Sequence, residues 1–260
     1  MDVIKDILRN FKENSLLQAK FERHLKVAIK TKKRGDFLFL YGTFLGFGTQ
    51  LFWSIYPFSQ NKKLLPVNGW YPYNPMNSPS YELTSFFQIF ASAFNISHTM
   101  NIDSFTINLM MQTGMQCDFL QLTLKNIMQF HTVDGILCQS LQQNTEPLED
   151  ILTPNLKTCI RHYIEIKRIA RKLEDIYRTS MAVVFLGGAF IFCAIFYQML
   201  HSQRDPTEIF YLLFFLFSML TEQFIFCWFG NEITFKSGQI HGALYTIPWV
   251  DCSVKFRKML

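Results

Sequence analysis

The sequence contains no H-E-x-x-H, G-x-S-x-G, P-loop or G-x-G-x-x-G pattern. Nothing in it therefore points to a zinc hydrolase, a nucleophile-elbow hydrolase or a nucleotide-binding site. Its six cysteines, Cys117, Cys138, Cys159, Cys193, Cys227 and Cys252, never stand in C-x-x-C spacing, which removes the common zinc and thioredoxin-type readings. There is no internal repeat and no low-complexity tract. The N-terminus is charged and amphipathic rather than a signal peptide, so entry into a membrane must be directed by internal segments. Charge itself is missing over long stretches: 25 residues at 37–61, 20 at 83–102 and 25 at 179–203 carry none, and 209–229 carries only Glu222.

Those uncharged stretches hold much of the apolar content. The chain has 260 residues, 49% of them hydrophobic and 16% aromatic, with 28 Phe. The mean hydropathy of +0.11 is modest, as suits spans alternating with long polar helices. A membrane-crossing helix needs about 20 apolar residues at 1.5 Å rise. The expected fold is all-α, a polytopic membrane helical bundle with four spans at 37–57, 82–105, 179–200 and 209–229. Pro57 helps to end the first. The second is the most polar, with Asn95, His98, Asn101 and Asp103, and it is expected to continue into the cytosol as one long helix.

Between the spans the texture changes. Five of the nine prolines lie between Pro57 and Pro79, marking 58–81 as a loop. Residues 1–36 read as one amphipathic helix, with Ile4, Ile7, Leu8, Phe11, Leu17, Phe21 and Leu25 at helical spacing. Its apolar face packs on neighbours, or alternatively lies on anionic lipid. Residues 106–178 read as cytosolic helices, with breaks at Glu146-Pro147 and Thr153-Pro154 and an amphipathic helix from Leu156. Residues 201–208 form a short turn, and 230–260 a mixed segment rather than another span. Cys193 and Cys227 fall in spans and the other four in cytosolic segments, so no disulfide is expected.

Basic residues give the orientation. Of the 25 Lys and Arg, 22 lie in 1–36, 116–178 and the segment after 230, and only three in 58–81 and 201–208. The positive-inside rule makes both termini and 116–178 cytoplasmic, with the Pro-aromatic loop and the 201–208 turn outside.

Few constellations carry chemistry. His98 and Asp103 have an H-x4-D spacing used by some acyltransferases, without supporting residues. His162 and Glu165 read as a solvated pair rather than a metal site. Asp103 and Glu222 are acidic groups near membrane depth. Each either sits wetted at the cytosolic end of its span or faces the bundle interior. Gly42 and Gly46 form a G-x-x-x-G for close helix packing, or a notch that leaves room for a ligand. Gly46, Thr49, Gln50, Phe52 and Trp53, then Phe86, Phe87, Phe90 and Phe94, then Tyr211, Phe214 and Phe215, lie toward the outer ends of three spans. Such residues make an aromatic-walled cavity for a small apolar ligand, or ordinary helix packing and lipid contact. No nucleic-acid partner, metal or cofactor is called for.

Three motifs carry a resemblance. Leu65-Pro66, Trp70-Tyr71-Pro72-Tyr73 and Ser78-Pro79-x-Tyr81-Glu82-Leu83 resemble the segment between the third and fourth spans of insect odorant receptors. Cys159-Ile160-x-His162 followed by Leu173-Glu174 is similar to their last intracellular helix before span five. Cys227-Trp228-Phe229-Gly230-Asn231, then Ser237, Ala243-x-Tyr245 and Trp249, is similar to the signature after span six. The order and spacing agree across 60–250. The resemblance implies that the four spans are the third to sixth of a seven-span, inverted-topology receptor, and that the chain is a truncated gene model, a fragment or a partial isoform. It implies odorant binding in the outer half of the bundle, with Gly46, Thr49, Trp53, Phe87, Phe90 and Tyr211 as ligand-contacting positions. It also implies a cation channel built as a hetero-tetramer with a co-receptor subunit, its cytosolic helices forming the anchor, in the plasma membrane of olfactory neuron dendrites. A gustatory receptor, and more remotely a membrane-bound acyltransferase or transporter, are the alternatives.

Overall fold

The computed structural model describes residues 2–59, 65–67, 69–133, 136–139, 148–201, 206–250 and 252–258. The expected break at Glu146-Pro147, residues 60–64 of the expected loop and 202–205 of the expected turn lie outside the described residues. Among the described residues six helices follow one another: α1 (Asp2–Glu13), α2 (Glu22–Ser59), α3 (Ser80–Lys125), α4 (Leu148–His201), α5 (Pro206–Leu244) and the short α6 (Val254–Arg257). A 3-10 turn at Ile127–Gln129 leads into β1 (Phe130–Val133), which pairs antiparallel with β2 (Ile136–Gln139), Phe130 opposite Gln139. This hairpin interrupts an otherwise helical fold. The chain divides into two compact units: Met1–Arg34, Asn108–Thr179 and Trp228–Leu260 form unit 1, and Gly35–Ile107 and Ser180–Cys227 form unit 2.

Unit 1 is built on helical spacing with a conventional interior. Cys117, Leu120 and Leu124 of α3 and Leu152, Leu156 and Cys159 of α4 recur every three or four residues. Together with Ile240 of α5 and Phe256 of α6 they form one buried cluster. A second cluster joins Ile7 and Leu17 to Leu109, Ile169 and Leu173. Spacing of this kind places side chains on one helix face, where burial removes apolar area from water.

The expectation of a single helix over 1–36 is corrected. α1 ends at Glu13 and α2 begins at Glu22. The reason is local and tertiary at once. The Asn14 side-chain oxygen accepts from the Leu16 N–H at 3.0 Å, an Asx turn that competes with the helix. Leu17 is then buried, and its carbonyl accepts from Gln116 Nε2 at 2.9 Å.

The expected break at Thr153-Pro154 is corrected as well, since α4 runs through Pro154. The proline lies early in the helix and removes one backbone hydrogen bond. Against that loss, Leu152, Asn155 and Leu156 are almost wholly buried, and Asn155 Nδ2 donates to the carbonyls of Ile127 at 3.0 Å and Phe130 at 2.6 Å. Those bonds hold the hairpin entry against α4.

The His162–Glu165 expectation fails in part. His162 is buried, and its Nε2 bonds Gln116 Oε1 at 3.1 Å. Burial holds its imidazole down to about 3. Glu165 pairs instead with Arg168 at 2.8 Å. His24, also buried, stacks on Phe119 with ring centroids 4.2 Å apart, and burial lowers it to about 4. Charged groups in unit 1 are paired at its half-buried edge. Lys236 contacts Asp118 at 2.7 Å and Glu232 at 2.9 Å, and Arg34 meets both carboxylate oxygens of Glu232.

Unit 2 has the opposite texture. Phe44, Phe86, Phe94, Val183, Leu186 and Phe190 are all well exposed. Three helices, α2, α4 and α5, contain stretches long and apolar enough to cross a membrane by length and composition. α3 is diluted over the same stretch by Asn95, His98, Asn101 and Asp103. The Pro-aromatic loop docks on α3. Gln88 donates to Val67 O and accepts from Val67 N, both at 3.0 Å, and Tyr73 and Thr84 share a hydroxyl bond at 2.8 Å.

Candidate functional site

Small residues set the spacing inside unit 2. A Cβ added at Gly46 of α2 meets Ile96 of α3 at 3.1 Å, and one at Gly48 meets the Phe214 ring of α5 at 3.2 Å. At Gly42 the nearest atom is Met100 Sδ, at 3.6 Å. Hydrogen bonds reinforce these approaches. Gln50 Nε2 donates to Ser92 Oγ at 2.7 Å, and Thr49 Oγ1 lies 3.2 Å from Ser218 Oγ. With lipid as the surrounding solvent, close packing and side-chain hydrogen bonds replace the hydrophobic effect as the force that joins helices.

Beside these contacts the three helices enclose a cavity of about 260 Å³, lined by 38–49 of α2, 95–107 of α3 and 215–225 of α5. Leu45, Ile96, Met100, Ile107, Phe215 and Met219 give it a mainly apolar wall. Polar groups gather toward one part of that wall. Asp103 and Glu222 both line it, and their carboxyl groups lie within hydrogen-bonding reach of each other. Ser218 and Thr221 flank Glu222 on α5. An apolar concavity with a few convergent polar groups can hold a small organic molecule and orient it. Among the described residues, no group of His, Cys, Asp and Glu is arranged to hold a metal ion.

The six sequence-derived positions divide. Gly46 and Thr49 line the cavity. Phe87 and Phe90 are 69% and 63% exposed on α3, and neither lines it. Trp53 and Tyr211 are half-buried and lie off the cavity as well, although Tyr211 stacks on the lining residue Phe215 with centroids 6.3 Å apart. The structure thus brings Gly46 and Thr49 together and leaves the four aromatics elsewhere in the unit. Asn95, Met100, Ser218 and Thr221 were missed as lining positions. For Asp103 and Glu222 the signal was present, because acidic residues at membrane depth mark interior cavities. His98, five residues before Asp103, is exposed and does not line the cavity.

Known proteins show the same architecture. The family model described as 7tm Odorant receptor matches residues 2–260. Odorant receptor 46a, isoform A, of Drosophila melanogaster is 24% identical over 191 residues, covering 72% of this chain and 46% of that receptor. Odorant receptor 82a of the same organism is 22% identical over 198 residues, covering 76% and 47%. The chain spans about half the length of the curated relatives it matches. Among solved structures, the insect olfactory receptor OR5 from Machilis hrabei in complex with eugenol superposes with a TM-score of 0.80 at 17% identity, covering 99% of this chain and 63% of that one.

Proposed function

This chain belongs to the 7tm odorant receptor family, and on that premise we propose that it serves as an odorant receptor subunit. It takes small volatile apolar ligands into the cavity of unit 2 and gates a cation channel together with a co-receptor. One observation carries the reading: a mainly apolar cavity of about 260 Å³, edged by a few polar groups. The eugenol bound to the Machilis hrabei receptor supports a small organic ligand for it. Gly46 and Thr49 are the contact positions that this reading assigns on α2. Their side of the cavity is shaped by the missing Cβ at Gly46.

Placement follows from charge. The concentration of Lys and Arg in 1–36, 116–178 and the segment after 230 supports a cytoplasmic unit 1. The exposed Phe and Leu of unit 2 then face hydrocarbon, with 82–105 of α3 as the fourth span. Location is the plasma membrane, in the dendrites of olfactory neurons. The partner is the co-receptor subunit of a hetero-tetramer, to which unit 1 contributes the cytosolic anchor.

The test is electrical. The receptor, expressed with its co-receptor, is expected to pass an odour-evoked cation current. Substituting Gly46→Val pushes a side chain toward Ile96 and Met100 and is expected to raise the half-maximal odorant concentration at least about tenfold, since a displacement worth 1.4 kcal/mol has that effect. Absence of current from receptors labelled at the cell surface, over a broad odorant panel, refutes the reading. A protease site inserted at residue 70 that stays protected in intact cells refutes the orientation.

A further inference from the structure

The hydrogen-bonding groups of the cavity wall are unevenly spent. Thr221 turns its O–H onto the carbonyl of Phe217, four residues back in its own helix, at 2.8 Å, and the protons of Thr49 and Ser218 are spent on the carbonyls of Leu45 and Phe214, both at 2.9 Å, or on each other at 3.2 Å. A hydroxyl whose proton is used in this way offers only lone pairs on its other side. Asp103 and Glu222 add carboxyl oxygens to the same stretch of wall. Asp103 Oδ2 is buried and no N–H or hydroxyl of the described residues bonds it, which leaves the Glu222 carboxyl as the hydrogen-bonding contact of Asp103. The other hydroxyl and amide donors of the wall, on Tyr41, Asn95, Thr99 and Ser104, do not bond that oxygen. The outstanding demand inside the cavity is therefore an acceptor's demand. A buried acceptor without a donor is destabilising, and a ligand that brings one relieves it.

We infer that Asp103 and Glu222 make this cavity selective for ligands that carry a hydrogen-bond donor, such as alcohols, phenols and amines, over ethers and esters of the same carbon skeleton. The inference rests on the reading of the cavity as the ligand site. An ether oxygen placed against the carboxyl pair sets lone pair against lone pair, whereas an O–H or N–H finds an acceptor on it. A site built to hydrogen-bond a ligand O–H or N–H discriminates strongly against the analogue that lacks it, because the group of the site is then left unpaired.

The experiment uses the full-length receptor with its co-receptor and a panel of alcohols and phenols, each paired with its own methyl ether. The readout is the ratio of half-maximal concentrations within a pair, which does not depend on how much receptor reaches the surface. The expected ratio favours the donor by at least about tenfold, which corresponds to about 1.4 kcal/mol, within the range of a single hydrogen bond. Asp103→Asn and Glu222→Gln each exchange an acceptor oxygen for a donor, and either is expected to bring the ratio toward one. Two variants are compared so that poor folding of one leaves the other to decide. A wild-type receptor that responds to alcohols and ethers alike overturns the inference and leaves the receptor reading standing. A donor preference that survives both substitutions overturns the assignment to these two residues. Silence to every compound overturns the receptor reading and the inference with it.

Discussion

The two units of this chain differ in how much of their apolar surface they hide. In unit 1, Phe119 and Phe256 are almost completely hidden, along with Ile7, Leu152 and Leu156. In unit 2, Phe190 is 77% exposed, and Phe44, Phe86 and Phe94 stand out nearly as far. Among the described residues, Leu212 is the only one of the largest fully buried apolar side chains that belongs to unit 2. The contrast shows what holds each unit. Unit 1 is held by removing apolar surface from water. Unit 2 has apolar solvent outside, so its helices meet through glycine notches at Gly46 and Gly48 and through polar pairs such as Gln50–Ser92.

Matched truncations test that contrast most sharply. Phe119→Ala is expected to destabilise unit 1 by about 3–5 kcal/mol, as large buried aromatics do. The thermal midpoint of the detergent-solubilised protein reads this. Phe190→Ala, made in parallel, is expected to change the midpoint little, because its ring has hydrocarbon on most sides in either form. Equal losses at both positions would erase the distinction between the units.

Next in size is a pH effect confined to unit 1. Burial lowers His24 to about 4 and His162 to about 3, so the folded unit holds both neutral while the unfolded chain protonates them near 6.5. A lowered histidine lends its full stability above that value. The contribution drains as pH falls through 6.5 toward 4 and then 3. Each contributes at most about 1.4 kcal/mol per pH unit in that window. His162→Gln is expected to flatten the fall between pH 6.5 and 4.5 relative to the parent. Comparing the two proteins at each pH removes the carboxylates, such as Asp6 and Glu149, whose hydrogen bonds to Lys172 and Ser253 hold them below their usual range.

Asn155→Ala follows, at about 1–3 kcal/mol, because it strands two buried carbonyls at the hairpin entry. Increased proteolysis between 127 and 148 in the folded protein is its specific readout. The smallest expected effect in the series is in unit 2. Gln50→Leu removes an interhelical hydrogen bond in a lipid setting, where such bonds average about 0.6 kcal/mol. A loss of several kcal/mol there would mean that unit 2 depends on polar contacts far more than its glycine packing implies.

Much of this was legible from the uncharged runs. They mark where α2, α4 and α5 are apolar enough to cross a membrane, because a backbone in hydrocarbon must satisfy itself as helix. The Asn14–Phe21 turn was not legible, since Leu17 continues the amphipathic pattern and only its burial against α3 and α4 decides for a bend. Pro154 read as a break because its local penalty is visible in sequence, whereas the packing of Leu152, Asn155 and Leu156 that offsets it is not. His162 read as solvated because nothing nearby in the chain announces Gln116, 46 residues earlier.

The cavity shows the same division. Gly46 and Thr49 could be picked from one helix, since absent side chains and small hydroxyls leave space wherever they pack. Phe87 and Phe90 could not be placed, because a phenylalanine facing lipid and one facing a cavity repeat with the same helical period. Asp103 and Glu222 each stood out alone, but their meeting is a fact of two helices 119 positions apart in the chain.

From its residues alone, this protein is a set of long helices, apolar where charge is missing, with Lys and Arg collected in a few segments. Both properties follow from the solvation of single segments, which depends on composition. Only the tertiary structure decided which face of each helix turns inward, where the chain bends at Asn14, and that two distant carboxyl groups share one cavity. Those outcomes depend on rotation about helix axes and on partners far apart in sequence, quantities that no single segment encodes.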